Sequence, residues 1–254
     1  MEQLSAQATA ILLISLRIVP TLAFAPPFTL VRVPGMVRML LGLSLAAWLV
    51  AAYPAQTWQI SGAGGGTGGL LGTAAAELFL GVSLALALQL AFAALLTAGR
   101  TIDIQAGFGL AALVDPTTRA QLPLAGTLLS YAAALLFFTS DGPADLLAIW
   151  AVSVAEVPIG GVGLGDNLDV LLSYIAVVFG MAFGAAGLMM IVLFLVDLSI
   201  AFMSRTLPQM NVMLMGFQVK TLVFLLLLPI SISLSLALLL RIMRVALETT
   251  ARMA

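Results

Sequence analysis

Long apolar runs separated by short polar interruptions make up this chain, and the runs are continuous instead of alternating every second residue. They cover residues 8–24, 36–53, 70–98, 124–139, 170–202 and 212–240. A run of roughly 20 such residues crosses a bilayer as one helix. Lipid cannot satisfy open backbone groups, so helices are the expected form, whereas a membrane barrel would need period-two alternation. The pattern predicts an all-α, polytopic membrane-type protein with long broken helices, forming one unit over residues 1–254.

The breaks carry the local detail. Pro26 and Pro27 end the first run, and Pro54 closes the second, because proline removes a backbone donor and restricts its predecessor. Arg32 and Arg38 border the second run. They read as interfacial anchors that snorkel from helix ends, or as partners of acids elsewhere in an assembly. The glycine-rich residues 61–69 lack the lysine and spacing of a phosphate loop and read as a flexible linker. A helix over residues 70–98 would reach about 43 Å, longer than one hydrocarbon core. It carries Glu77, whose place near the start of the run favours an interfacial position over burial against a partner such as Arg17.

Residues 99–123 are too polar to span and too apolar for an exposed loop. A re-entrant or pore-facing element fits, since irregular backbone at membrane depth must be buried or line a cavity; an amphipathic surface hairpin is the alternative. Gly107 and Gly109 flank Phe108 and permit close backbone approach. Residues 140–169 carry only acids and read as a short helix followed by a loop. Gly180, Gly184 and Gly187 lie four and three apart, a small-residue face for close helix packing. Pro229 is expected to kink or break the last helix, with Ser231, Ser233 and Ser235 softening it further.

Between the last two runs, residues 197–220 hold Asp197, Arg205, a Pro208-Gln209-Met210-Asn211 turn and Lys220. Asp197 and Arg205 sit two turns apart on one helix face and so look elsewhere for partners. Pro208 stops the helix, and Gln209 and Asn211 can bond the freed backbone groups. The stretch reads as an interfacial turn or as a packing node or pore constriction.

Composition sharpens this picture. Hydrophobic residues make up 62% and charged residues 8%, against about 25% charged in soluble domains. Cysteine and histidine are both absent, which removes disulfides, thiolate sites, histidine-based triads and histidine proton relays. A net charge of −1 gives no nucleic-acid footprint. The N-terminus has an acid and no basic region, against a cleaved secretory signal. No catalytic or metal-ligating spacing occurs, so enzyme function and cofactors are not expected. Six spans place both termini outside by the positive-inside rule, yet Arg241, Arg244 and Arg252 cluster at the C-terminus. Simple threading therefore fails; a half-span, a hairpin or an assembly not fully in lipid would each explain it.

Five stretches taken in order, at residues 16–38, 75–86, 99–116, 135–142 and 197–220, resemble the FliR family of flagellar export-gate proteins and its homologues in virulence type III secretion. The resemblance implies an all-helical subunit of the bacterial inner membrane and flagellar basal body, without catalysis or cofactor. It also implies assembly with FliP-like and FliQ-like subunits and an FlhB-like switch subunit, around a channel for unfolded substrates lying largely on the periplasmic side. It assigns a pore plug to residues 99–116, with Gly107, Phe108, Gly109 and Leu110 at its centre and Phe108 or Leu110 as the obstructor. In this sequence the aromatic precedes the leucine, the reverse of the family's usual order. The family's R-x-x-P-Q-x-N signature falls on Arg205, Pro208, Gln209 and Asn211. With Arg17, Glu77, Asp197 and Lys220 these are the candidate assembly residues. Pro143 stands where the family often has histidine. A virulence injectisome is the alternative setting. A small-solute transporter would show an internal repeat with matched broken helices, and none is apparent.

Overall fold

A computed structural model describes residues 2–30, 33–57, 67–108, 123–161, 166–206 and 212–253, and all regular structure among them is helical. The helices are α1 (Glu2–Phe24), α2 (Pro26–Leu30), α3 (Gly35–Ala52), α4 (Pro54–Thr57) and α5 (Thr67–Ala106), then α6 (Leu124–Thr139), α7 (Gly142–Glu156), α8 (Asp166–Thr206) and α9 (Val212–Met253). Among the described residues α1, α3, α5, α8 and α9 are each long and apolar enough to cross a membrane, while α6 and α7 meet that test only together, with a 69° bend between them. The fourth apolar run is therefore one limb of a bent pair. The protein is an all-α, polytopic membrane-type helical protein.

Three elements differ from the sequence expectation. First, α5 runs through residues 99–106, so Arg100, Asp103 and Gln105 are helical and the odd region begins only at Gly107. Its 40 residues correspond to about 60 Å at 1.5 Å per residue, twice a hydrocarbon core of about 30 Å. Second, of the kink or break expected at Pro229 the break does not occur, since α9 continues through it. Proline removes one bond of the ladder, but lipid penalises every further open backbone group, so the flanking turns stay wound. Pro20 is absorbed by α1 in the same way. Third, the Gly180, Gly184 and Gly187 face makes no close approach among the described residues. A Cβ at Gly180 or Gly187 would meet nothing within 4 Å, and one at Gly184 only the tip of Leu238 at 3.8 Å.

The chain forms two compact units. The first comprises Met1–Leu90, Phe137–Ala176 and Met243–Ala254. In it Ala10, Leu13, Ile14, Arg17, Ile18 and Thr21 are buried on α1, a stripe at the three-and-four spacing of one helix face. Helix α1 meets two neighbours closely. A Cβ on Gly42 of α3 would lie 2.6 Å from Val19, and one on Gly81 of α5 would lie 2.4 Å from the Leu16 carbonyl oxygen. Helix α7 buries Leu146, Ile149, Trp150, Ser153 and Val154 at the same spacing. Pro143 sits in its first turn, where a missing N–H costs nothing. Phe28 touches Phe137 and Phe138 edge to face, and the Tyr174 hydroxyl donates to the Ala87 carbonyl at 2.9 Å.

The second unit comprises Ala91–Leu136 and Val177–Ile242. Helices α5 and α6 touch backbone to backbone, since a Cβ on Gly99 would stand 2.1 Å from both N and Cα of Gly126. Ser235 of α9 is buried and donates to the Ala185 carbonyl of α8 at 2.7 Å, so it ties two helices together instead of loosening one.

Candidate functional site

The described contacts of Arg17, Glu77, Asp103, Asp197 and Lys220 fall at three places. In the first unit Arg17 and Glu77 are both fully buried and joined side on. Arg17 Nε donates to Glu77 Oε2 at 2.7 Å and Nη2 to Oε1 at 2.8 Å. Nη1 donates to the carbonyl and hydroxyl oxygens of Ser153 at 2.8 and 2.9 Å, and Nη1 and Nη2 both face the Val157 carbonyl at 3.4 and 3.5 Å. Glu77 Oε1 also accepts the Gly160 N–H at 2.9 Å. Gly160 has φ of 80°, and a Cβ there would strike Thr73 at 2.6 Å, so only glycine fits without strain. Each guanidinium nitrogen has a partner and both carboxylate oxygens are used. This is the condition under which a buried ion pair is tolerated.

The interfacial position expected for Glu77 is thus incorrect. The stripe explains why. Glu77 is three residues before Leu80 and seven before Leu84, both fully buried, so it lies on the inward face of α5 and must be paired. Arg17 sits one turn after the buried Leu13 and beside Ile18. Gly81, one turn beyond Glu77, lets the α1 backbone come close enough for the two side chains to meet.

The second place is the end of α5. The Phe108 N–H donates to the Asp103 carbonyl at 2.9 Å and the Gly107 N–H to the Ile104 carbonyl at 3.1 Å. With Gly107 at φ 91° this is the glycine-closed helix C-terminus known as a Schellman motif. Gly107 therefore stops a helix. The Phe108 ring is edge to face with Phe217 at 6.3 Å and with the buried Phe224 at 5.2 Å between centroids. Asp103 is 6% exposed, and its carboxylate accepts the Ala125 N–H of α6 at 3.1 and 3.2 Å. Gly109 and Leu110 lie outside the described residues.

The third place joins α8 and α9. Asp197 pairs with Lys220, so the two ends of the 197–220 stretch hold each other. Arg205 is exposed in the last turn of α8. Helix α8 stops at Thr206, two residues before Pro208. Pro208, Gln209 and Asn211 lie outside the described residues, as does Arg32. Arg38 donates to the Ala23 carbonyl at 2.7 Å and so closes the end of α1.

Sequence reasoning alone does not single out Asp103, Ser153 or Gly160. Ser153 has a signal in the buried α7 stripe, and Asp103 has one in Pro123, which precedes α6 and offers no capping oxygen. Among the described residues no group of three or more acids is placed to hold a metal.

The family model for bacterial export proteins, family 1, matches residues 8–246. Flagellar biosynthetic protein FliR of Escherichia coli (strain K12) is 27% identical over 203 residues, covering 80% of this chain and 76% of that protein. FliR of Bacillus subtilis (strain 168) is 34% identical over 158 residues, 60% of each chain. Yop proteins translocation protein T of Yersinia pestis is 26% identical over 155 residues, 60% of this chain and 59% of that one. With the match running through nearly the whole sequence and every described apolar run helical, the chain belongs to family 1 of the bacterial export proteins.

Proposed function

We propose that the chain is a non-enzymatic subunit of the flagellar type III protein-export gate, forming part of the channel that passes unfolded substrates during flagellum assembly. The observation that carries this reading is the family match over residues 8–246, together with the likeness to relatives named as flagellar FliR proteins. The use of polar groups supports it. Arg17, Glu77, Asp103 and Ser153 are engaged in joining helices. The exposed faces of α8 and α9 remain strongly apolar, with Ile191, Phe194, Leu222 and Leu226 each more than half exposed. Such faces suit lipid and neighbouring subunits. The gate's place in this reading is the inner membrane and basal body, with FliP-like, FliQ-like and FlhB-like partners.

Residues 107–123 are the proposed closing element of the channel. The Phe108 ring is seated on Phe217 and Phe224, which favours Leu110 as the obstructor and Phe108 as its anchor. Removing residues 109–113 should let small solutes leak through the assembled complex. Unchanged permeability would refute this assignment.

The injectisome reading draws on the likeness to translocation protein T. Purification of the tagged chain in mild detergent separates the two. FliP-like and FliQ-like flagellar subunits in the eluate support the flagellar gate, virulence-type counterparts support the injectisome, and absence of both contradicts an export gate.

A further inference from the structure

Helix α9 is continuous from Val212 to Met253 and carries an exposed stripe that changes character along its length. Leu226, Ile230 and Leu234 follow one another at four-residue steps, each at least half exposed. The same helical spacing, through Ala237, reaches Arg241, Arg244, Glu248 and Arg252, all exposed. The opposite face of this end of the helix is buried through Ile242, Met243, Ala246 and Leu247, so the arginines point away from the fold. Among the described residues none of the three arginines is ion-paired, and Glu248, one turn from both Arg244 and Arg252, pairs with neither.

We propose that Arg241 and Arg244 bind the phosphate of an anionic phospholipid whose acyl chain lies along Leu234, Ile230 and Leu226. From Leu226 to Arg241 the helix rises about 22 Å. One leaflet offers about 15 Å of hydrocarbon and then a headgroup band of about 5–7 Å, so the change from aliphatic to cationic side chains falls where the lipid changes in the same sense. Water alone would leave the aliphatic part of the stripe uncovered, and acyl chains alone would leave the cations without a counter-charge. Arg241 and Arg244 stand about 4.5 Å apart along the axis, within reach of one phosphate, whose oxygens suit the planar fork of arginine donors. Two unpaired cations select a headgroup of net negative charge, because the ammonium of phosphatidylcholine opposes them. Arg252 lies about 12 Å beyond Arg244, past the headgroup band and behind Glu248, and is outside the site. The site requires that α9 cross a membrane, which its length and hydropathy allow, and is independent of the export-gate reading.

The test reconstitutes the full chain, with any subunits that copurify, into nanodiscs of equal phosphatidylglycerol and phosphatidylcholine. The protein is then released into neutral detergent and its retained lipids are counted by native mass spectrometry. The parent should retain phosphatidylglycerol in excess. Each arginine near an anionic surface strengthens binding about fivefold, so Arg241→Gln or Arg244→Gln should lower the phosphatidylglycerol-bound fraction several-fold. Both together should bring the two lipids level, while Arg252→Gln should match the parent. Equal retention of the two lipids by the parent would leave an aliphatic stripe without a headgroup site. Retention of neither would mean that another subunit covers the stripe, and an equal fall with Arg252→Gln would mean diffuse attraction. Each of these overturns the site. Inorganic phosphate in the detergent buffer should not displace the retained lipid; displacement would mean that the arginines hold a free anion, and the lipid assignment fails. If the double variant does not incorporate, the two single variants decide by the same criterion.

Discussion

Arg17 of α1 grips Glu77 of α5 through two parallel hydrogen bonds of 2.7 and 2.8 Å, with both side chains wholly out of solvent. The pair also gathers Ser153, Val157 and Gly160, so it fixes α1, α5 and α7 at one point. Removing either partner strands a buried charge, which costs about 3–5 kcal/mol. Arg17→Ala and Glu77→Ala should each lower the thermal midpoint of the detergent-solubilised complex sharply. The double replacement Arg17→Met with Glu77→Leu should restore part of the loss, because no lone charge remains. A double variant worse than both singles would contradict the pairing.

Close backbone contact predicts which glycines are irreplaceable. Gly99→Ala or Gly126→Ala places a methyl about 2–3 Å from main-chain atoms of the facing helix, and overpacking of this kind costs about 1–3 kcal/mol or more. Gly180→Ala and Gly187→Ala meet open space within the chain and should gain up to about 1 kcal/mol of helix propensity. Equal effects at the two sets, measured as unfolding midpoints, would show that α5 and α6 do not meet as described.

The aromatic seat of Phe108 predicts a coupling. Each edge-to-face contact adds about 0.5–1.5 kcal/mol beyond area burial. A double-mutant cycle with Phe108→Leu and Phe224→Leu should therefore return a coupling in that range. A coupling indistinguishable from zero would remove Phe108 from the α9 face and reopen its role as the obstructor.

The Asp197–Lys220 pair makes a useful contrast. Its side chains are 40% and 19% exposed against 0% for Arg17 and Glu77, so solvent screens it. Asp197→Asn or Lys220→Met should cost only about 0–1 kcal/mol in the chain's own stability. A loss as large as that of Glu77→Ala would mean the pair is covered by another subunit in the assembly.

Much of this architecture was legible from the apolar runs, because lipid forces continuous hydrophobic segments into helices. The inward faces of α1 and α5 were legible too, in the spacing of Leu13, Ile14 and Ile18 and of Leu80 and Leu84. Reading Glu77 by its distance from the segment start, without its phase relative to those leucines, produced the interfacial error. The α5–α6 contact was hidden for a different reason. Asp103 caps an N–H 22 residues away, and Gly99 and Gly126 form no regular spacing with each other. The regularly spaced Gly180, Gly184 and Gly187 drew attention, yet helix periodicity alone does not say whether a notch faces the same chain. Gly107 shows the local limit: a glycine beside an aromatic reads as a point of close backbone approach until the helix before it is known to end there.

The export-gate claim is tested most directly by secretion. Cells lacking this chain, and the same cells with it restored, are compared for flagellar hook and filament proteins in the culture medium and for motility. Secretion and motility should be lost without the chain and return with it. Normal secretion of flagellar substrates in its absence would rule out a role in the flagellar export gate.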